Sequence, residues 1–241
     1  DIECFPIVRS ILTKITGDES IYCSPTDMGV NMAGFGIVDD DACREAARQE
    51  IIRRFYKTEC DYKTGNVSAD AVERIRLLMN ENKIETSERS VVKPALEKAE
   101  SSCSAAVAVQ LEDGRFVTGK SSKLMTACAG AVLNAVKALS NIDDGMLLLA
   151  PVVLAPIIRL KKEVLREDKV KLSLGDVLTA LSICAATNPI AEKAMDMLVR
   201  LRGCEAHASC ILPENDLAVM RKLGMNYTCE PEFGSKDLYG F

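Results

Sequence analysis

The sequence predicts an α/β protein in two parts. A mainly helical subdomain spans residues 1–100, and an αβα-layered subdomain with a mixed sheet spans residues 101–241. Three observations carry that reading. The stretch Gly203 to Pro231, GCEAHASCILPENDLAVMRKLGMNYTCEP, runs strand, helix, strand with little slack, the pattern of a right-handed βαβ unit on a helix-covered sheet. Ala105, Val107 and Val109 alternate with smaller residues, Asp113-Gly114 is a hairpin signal, and Arg115 to Thr118 extends again. Ahead of Ser101, by contrast, apolar residues recur at helical spacing almost throughout.

In chain order, Ile2, Phe5, Val8, Ile11, Leu12 and Ile15 make one amphipathic helix that Gly17 ends. A glycine-rich loop over 24–36 follows, where Gly29, Gly34 and Gly36 come close behind Ser24 and mark irregular backbone. Asp39 to Asp41 offer N-cap oxygens and favourable charge to a helix running through Ala46, Ala47, Ile51 and Phe55. Ser68 caps the next helix, striped by Val72, Ile75, Leu78 and Met79; Thr86 starts another segment, and Pro94 kinks it or opens a new helix. Beyond the hairpin, Leu124 to Ser140 is a small-residue helix suited to close packing on a sheet. Met146 to Leu154 is an apolar run broken by Pro151, and a helix carries Ile157 to Leu165. Ser173 and Asp176 form a capping-box-like start, and Asn188-Pro189 supply the N-cap and N1 of a helix ending at Gly203. In the final unit a strand spans Ala206 to Leu212. Pro213, Glu214 and Asp216 start the helix of Leu217, Met220 and Leu223, Gly224 stops it, and Met225 to Cys229 extends.

At 241 residues, 48% hydrophobic and 27% charged, the chain has ample core and the balance of a soluble globular protein. A net charge of −5 argues against nucleic acid as partner, and Arg159, Lys161 and Lys162 read as a solvated helix face. No run of about eighteen apolar residues appears, so neither a membrane span nor a membrane partner is expected. No signal peptide is read at the start, and a chain that begins at Asp1 without an initiator Met is expected to be part of a longer protein. The ten cysteines are scattered singly with no C-x-x-C pair, which suggests reduced thiols and a cytoplasmic location.

Four constellations bear on chemistry. Gly114 to Ser121 satisfies G-x-x-x-x-G-K-[ST], the P-loop pattern. Its inner Arg115, Phe116, Val117 and Thr118 favour a strand, so the segment is read as the second arm of a hairpin. Lys120 then sits at a strand end, available to a phosphate or carboxylate but not as part of an ATP-wrapping loop. Cys204, His207 and Cys210 fall within seven residues, yet a strand would send His207 to one face and both cysteines to the other, so no zinc is expected and the cofactor stays unknown. The layout is similar to a cytidine-deaminase-like αβα sandwich without its zinc motifs, since H-x-E and P-C-x-x-C are absent, which rejects zinc-dependent deamination. Glu205 and His207, the chain's only histidine, share a strand face and read either as a catalytic acid/base pair or as a structural hydrogen-bonded pair. Ser24, Thr26, Asp27 and Asn31 in the glycine-rich loop are candidate ligand-binding residues, or Ser24 to Asp27 simply cap a helix.

The strings DIECFP, SPTDMGVNMAGF, QEIIRRFY, DGRFVTGKSS, LSICAATNP, LRGCEAH and LGMNYTCEP resemble a large bacterial family known as domain of unknown function 1846. The resemblance runs across essentially the whole chain and implies that it corresponds to the C-terminal half of a protein about twice as long, whose N-terminal half would be a partner. The family carries an Asn-Pro-Arg-Leu-His-like turn where this chain has Asp168 to Leu172, so Leu172 stands at the histidine position. No reaction comes with the resemblance.

Two functions follow as expectations. One is an enzyme acting on a small anionic metabolite or nucleotide, with Asp27 or Asn31 within about 10 Å of Lys120 or His207, a ligand's length. The other is a non-catalytic scaffold that forms homo-oligomers through apolar runs such as Met146 to Leu154.

Overall fold

The first of two units, Asp1–Arg89, is helical over most of what the computed structural model describes, which is residues 4–18 and 40–234. Ser24, Thr26, Asp27 and Asn31, with the rest of the glycine-rich loop, lie outside the described residues, as does any distance from them to Lys120 or His207. Helix α1 (Cys4–Thr16) ends at Gly17, whose φ of +72° is the left-handed conformation that closes a helix and that glycine adopts without strain. Helices α2 (Asp40–Lys63) and α3 (Ala69–Glu81) pack on each other. Ile51, Ile52 and Tyr56 of α2 are buried, as is the expected α3 stripe of Val72, Ile75, Leu78 and Met79. Each such side chain contributes roughly 1.5–3 kcal/mol on burial. Ser68 holds the N-cap position of α3, but its hydroxyl makes no cap hydrogen bond. Arg48 of α2 makes a two-pronged pair with Glu88 in the 3-10 turn Thr86–Glu88, at 2.9 and 2.7 Å. A backbone hydrogen bond from Glu85 and the Arg48 guanidinium hold the Glu88 carboxyl below its ordinary range against the opposing effect of burial.

The second unit, Ser90–Phe241, contains every described strand. It opens with helix α4 (Val92–Ser102), where Pro94 sits in the first turn and its missing N–H leaves no helical bond unmade. Strands β1 (Ala106–Gln110) and β2 (Phe116–Lys120) form the antiparallel hairpin that Asp113-Gly114 signals. Gly114 turns the chain at φ +82°; its N–H donates to Leu111 O, and Leu111 N–H donates to Arg115 O, each at 2.9 Å. Strand β3 (Glu205–Ala208) pairs antiparallel with β1, and β4 (Asn226–Cys229) pairs parallel with β3, giving the mixed order β2-β1-β3-β4.

Helix α5 (Ala127–Ser140) lies on β2 and β1, and α4 also packs on both strands. Helix α6 (Pro151–Arg159) begins where the sequence suggested a break. Pro151 takes position N1, where its fixed φ suits a helix start, so the expected helix from Ile157 opens six residues earlier. The segment then widens into a π turn, Leu160–Val164, and Lys161 is only 15% exposed, paired at 3.1 Å with both Glu167 and Asp176. The basic run is therefore not a uniformly solvated face. Helix α7 (Leu174–Ala185) starts at the Ser173–Asp176 capping box, and α8 (Pro189–Asp196) starts at Asn188 and continues as a 3-10 turn to Leu201. Helix α9 (Glu214–Lys222) connects β3 to β4, and Gly224 at φ +75° ends it as expected. Strand β3 stops at Ala208 rather than Leu212. There the Ser209 hydroxyl accepts from Ala106 N–H at 3.0 Å, and Ile211 turns to pair with Phe233.

Candidate functional site

Strands β2 and β3 both run against β1, and β4 runs with β3, so β2, β3 and β4 end along the same edge of the sheet. Helices α5 and α9 start just beyond β2 and β3 and point their unpaired N–H groups toward that edge. Helix α7 joins them. Its Leu174 N–H donates to Asp216 Oδ1 in the first turn of α9 at 2.7 Å, and Leu172 bridges Met125 just ahead of α5. Ligands of open α/β sheets gather at such a carboxyl edge.

Lys120 ends β2 and is exposed. Next to it, the Ser121 hydroxyl accepts from Lys171 Nζ at 2.8 Å. Neither lysine has a carboxylate partner among the described residues, and Lys171 is held on the hydroxyl of the residue that follows Lys120.

His207 is wholly buried in β3. Its Nδ1 lies 2.8 Å from Thr228 Oγ1 and its Nε2 lies 3.1 Å from Glu230 Oε1. The Thr228 hydroxyl donates to Ala206 O at 3.4 Å, which ties this contact to the backbone of β3. The ring thus bridges the sheet interior to a carboxylate just beyond β4, whose side chain is 23% exposed.

Glu205 is placed differently. Both ring nitrogens of His207 are bonded to Thr228 and Glu230, while Glu205 Oε1 accepts from Asn226 Nδ2 at 2.9 Å. Glu205 stands opposite Gln110 on β1, whereas Lys120 stands opposite Ala106. Four residues of strand separate those positions by about 13 Å along β1. Lys120 and the His207–Glu230 pair share the carboxyl edge, and Glu205 lies at the amino edge. Sequence reasoning missed Glu230. Its signal was alternation: Thr228 and Glu230 follow His207 onto one face once β3 and β4 pair.

The P-loop pattern is accounted for by packing. Gly119 is in mid-strand, and a Cβ built on it would lie 2.0 Å from the backbone nitrogen of Ala131. This glycine allows α5 to approach β2. By strand alternation the Gly119 side of the sheet carries Val107, Ala208 and Cys229, while His207 and Thr228 are on the other side.

Beneath the edge lies Asp216, fully buried. Its Oδ2 has no hydrogen bond of normal geometry among the described residues, the Thr126 hydroxyl being its neighbour. Burial pushes its carboxyl above the usual aspartate range. Burial likewise raises the thiols of Cys128 and Cys229, the latter to about 12. Cys204 and Cys210, which flank β3, are also buried with raised thiols. Among the described residues no cluster of three or more His, Cys, Asp or Glu is arranged to hold a metal, and no helix is long and apolar enough to cross a membrane.

A helical unit followed by a mixed-sheet α/β unit with a polar carboxyl edge is an architecture that serves many functions. Residues 87–239 match the family model described as "Domain of unknown function DUF1846, C-terminal", and residues 1–83 match "Domain of unknown function DUF1846, N-terminal". The chain belongs to the DUF1846 family. The match takes in the N-terminal domain of the family as well as the C-terminal one, which corrects the resemblance to the C-terminal half alone. A UPF0371 protein of Clostridium botulinum strain Langeland is 50% identical over 247 residues, covering 99% of this chain and 49% of that protein. A UPF0371 protein of Clostridioides difficile strain 630 is 49% identical over the same length and coverage. The chain spans about half the length of these curated relatives.

Proposed function

We propose that the second unit binds a small anionic metabolite or nucleotide at the carboxyl edge of its sheet, as part of an enzyme acting on that compound. The single observation supporting this is Lys171 Nζ on the Ser121 hydroxyl, next in sequence to the exposed Lys120, at the edge where three strands end. A phosphate or carboxylate at Ser121 would meet the Lys171 ammonium, a hydroxyl and the positive end of α5, with Lys120 one residue away. Glu230, held by His207, supplies a carboxylate at the same edge as general base. In this reading His207 positions Glu230, and Glu205 lies away from the chemistry.

The experiment is a thermal-shift series with inorganic phosphate, pyrophosphate, AMP and ATP, using potassium chloride as the ionic-strength control. One phosphate-bearing compound should raise Tm by several degrees, and Lys171→Ala should abolish the rise without changing the Tm of the unliganded protein. No shift from any of the four, or an equal shift in the variant, would remove the proposal.

The alternative is a scaffold that self-associates, and exposed apolar side chains favour it. Leu147 and Val152 are 75% and 78% exposed beside an apolar groove of about 340 Å³ lined by Leu124, Leu133, Met146 and Leu154. In that reading a second copy covers the groove, and light scattering would give a dimer that Leu147→Glu reduces to a monomer.

A further inference from the structure

At the amino edge of the sheet, away from the site proposed above, lies a cleft of about 220 Å³ between the end of β1 and the segment entering β3. It holds the volume of about seven waters at liquid density. Gln110, Glu112, Arg202, Gly203, Cys204 and Glu205 line it. Its charges are arranged unusually. Arg202 and Glu205 are three residues apart and opposite in sign, yet Arg202 has no ion pair among the described residues. The stem of Arg202 packs on Gly224, where a Cβ would lie 3.1 Å from Arg202 Cγ, so the guanidinium is carried on a supported arm. Glu205 is fixed from the side by Asn226 Nδ2 at 2.9 Å. Gln110 is oriented by Ser90, whose hydroxyl donates to Gln110 Oε1 at 2.9 Å, which leaves the Gln110 amide N–H groups as donors. Glu112 on the rim is neutralised by Arg200.

We infer that this cleft is a binding site for a small zwitterion, a free α-amino acid. The ligand carboxylate pairs with Arg202 and the Gln110 amide, and its ammonium pairs with Glu205. A purely anionic ligand would meet the Glu205 carboxylate, and a purely cationic one would meet Arg202, so each half of the charge pattern rejects a singly charged competitor. At about 220 Å³ the cleft has room for a whole free amino acid. Its place at the amino edge of the sheet separates this site from the one at the carboxyl edge.

The test is a ¹⁵N–¹H titration of the full chain with L-alanine and L-serine, alongside propionate and ethylamine. Saturable shifts of the Gly203, Cys204 and Glu205 amides are expected with at least one amino acid and with neither singly charged analogue. Arg202→Ala and Glu205→Gln should each weaken that affinity about tenfold or more, and Arg202→Lys should restore part of it. Absence of saturation with both amino acids overturns the assignment, as does equal binding of propionate or an affinity unchanged in Arg202→Ala. Lys171→Ala should leave these shifts intact, so this outcome does not depend on the carboxyl-edge site.

Discussion

Asp216 is a buried carboxylate at the meeting of three helix starts, and two effects compete there. Helix N-termini favour its charged form, while complete burial disfavours it, and burial wins because one oxygen has no good donor. A carboxyl whose folded pKa lies above its unfolded value contributes stability below the unfolded pKa and loses it as pH rises through the folded pKa. At pH 8 the charged form therefore weighs against the fold. Asp216→Asn keeps an oxygen for the Leu174 N–H and adds an amide donor for Thr126. The variant should match the parent near pH 3, below the unfolded aspartate value, and exceed it by about 1 kcal/mol at pH 8, the worth of one satisfied buried polar group. Urea denaturation at both pH values measures this; a variant less stable at pH 8 would contradict it. The thiols give a second prediction at the same scale. Cys103 is exposed, whereas burial holds Cys128 and Cys229 protonated, the latter to about 12. Alkylation of the native protein at pH 8, mapped by mass spectrometry, should label Cys103 within minutes and leave Cys128 and Cys229 unlabelled until the protein is unfolded.

At the scale of elements, two glycines of one sequence pattern serve different purposes. Gly114 has open space around its Cβ position, so Gly114→Ala meets only the left-handed backbone at φ +82°, a cost of about 1 kcal/mol. Gly119 has unexceptional backbone but faces Ala131 N at 2.0 Å, so Gly119→Ala must push α5 off β2, at about 3 kcal/mol or more. A urea series on the two variants should separate them by that margin, and near-equal losses would mean α5 shifts at little cost. The hairpin itself was legible because its determinants are adjacent: Asp113-Gly114 dictates the turn, and the β-branched residues after it dictate the strand. The capping box at Ser173 and the N-cap at Asn188 were legible for the same reason. Pro151 was misread because a proline both ends and begins helices, and only the apolar packing of α6 decides between them. The π turn at Leu160–Val164 left no local trace, since its ion pairs reach from Lys161 across to Asp176.

Over the whole molecule, the hairpin and the βαβ unit anticipate the β1–β2 and β3–β4 pairings, but not that β3 pairs with β1, nor which polar groups meet. His207 was visible as the sole histidine, and its partners Thr228 and Glu230 lie 21 and 23 residues away, joined to it only once β3 and β4 pair. Glu205, two residues away in sequence, was the nearer guess and is bonded elsewhere. The division of the chain follows similar logic. The helix at Val92–Ser102 has ordinary helical periodicity and reads with the helices before it, yet it packs on β1 and β2 and so belongs to the second unit. That unit begins at Ser90, and the two family models also separate between residues 83 and 87. Residues 90–241 hold all the described strands and six helices, and about 150 residues is an ordinary size for a domain with its own core. Buried Val107, Val109, Val132, Leu174, Leu181 and Leu201 supply that core from within the unit. A fragment of residues 90–241 should therefore unfold in urea as a single cooperative step and keep the near-ultraviolet circular dichroism of Tyr227 in β4. A fragment starting at residue 104, which lacks α4, should lose that cooperativity because β1 and β2 would be left without this helix. If the shorter fragment proves as stable as the longer, α4 is dispensable and the boundary belongs nearer residue 100.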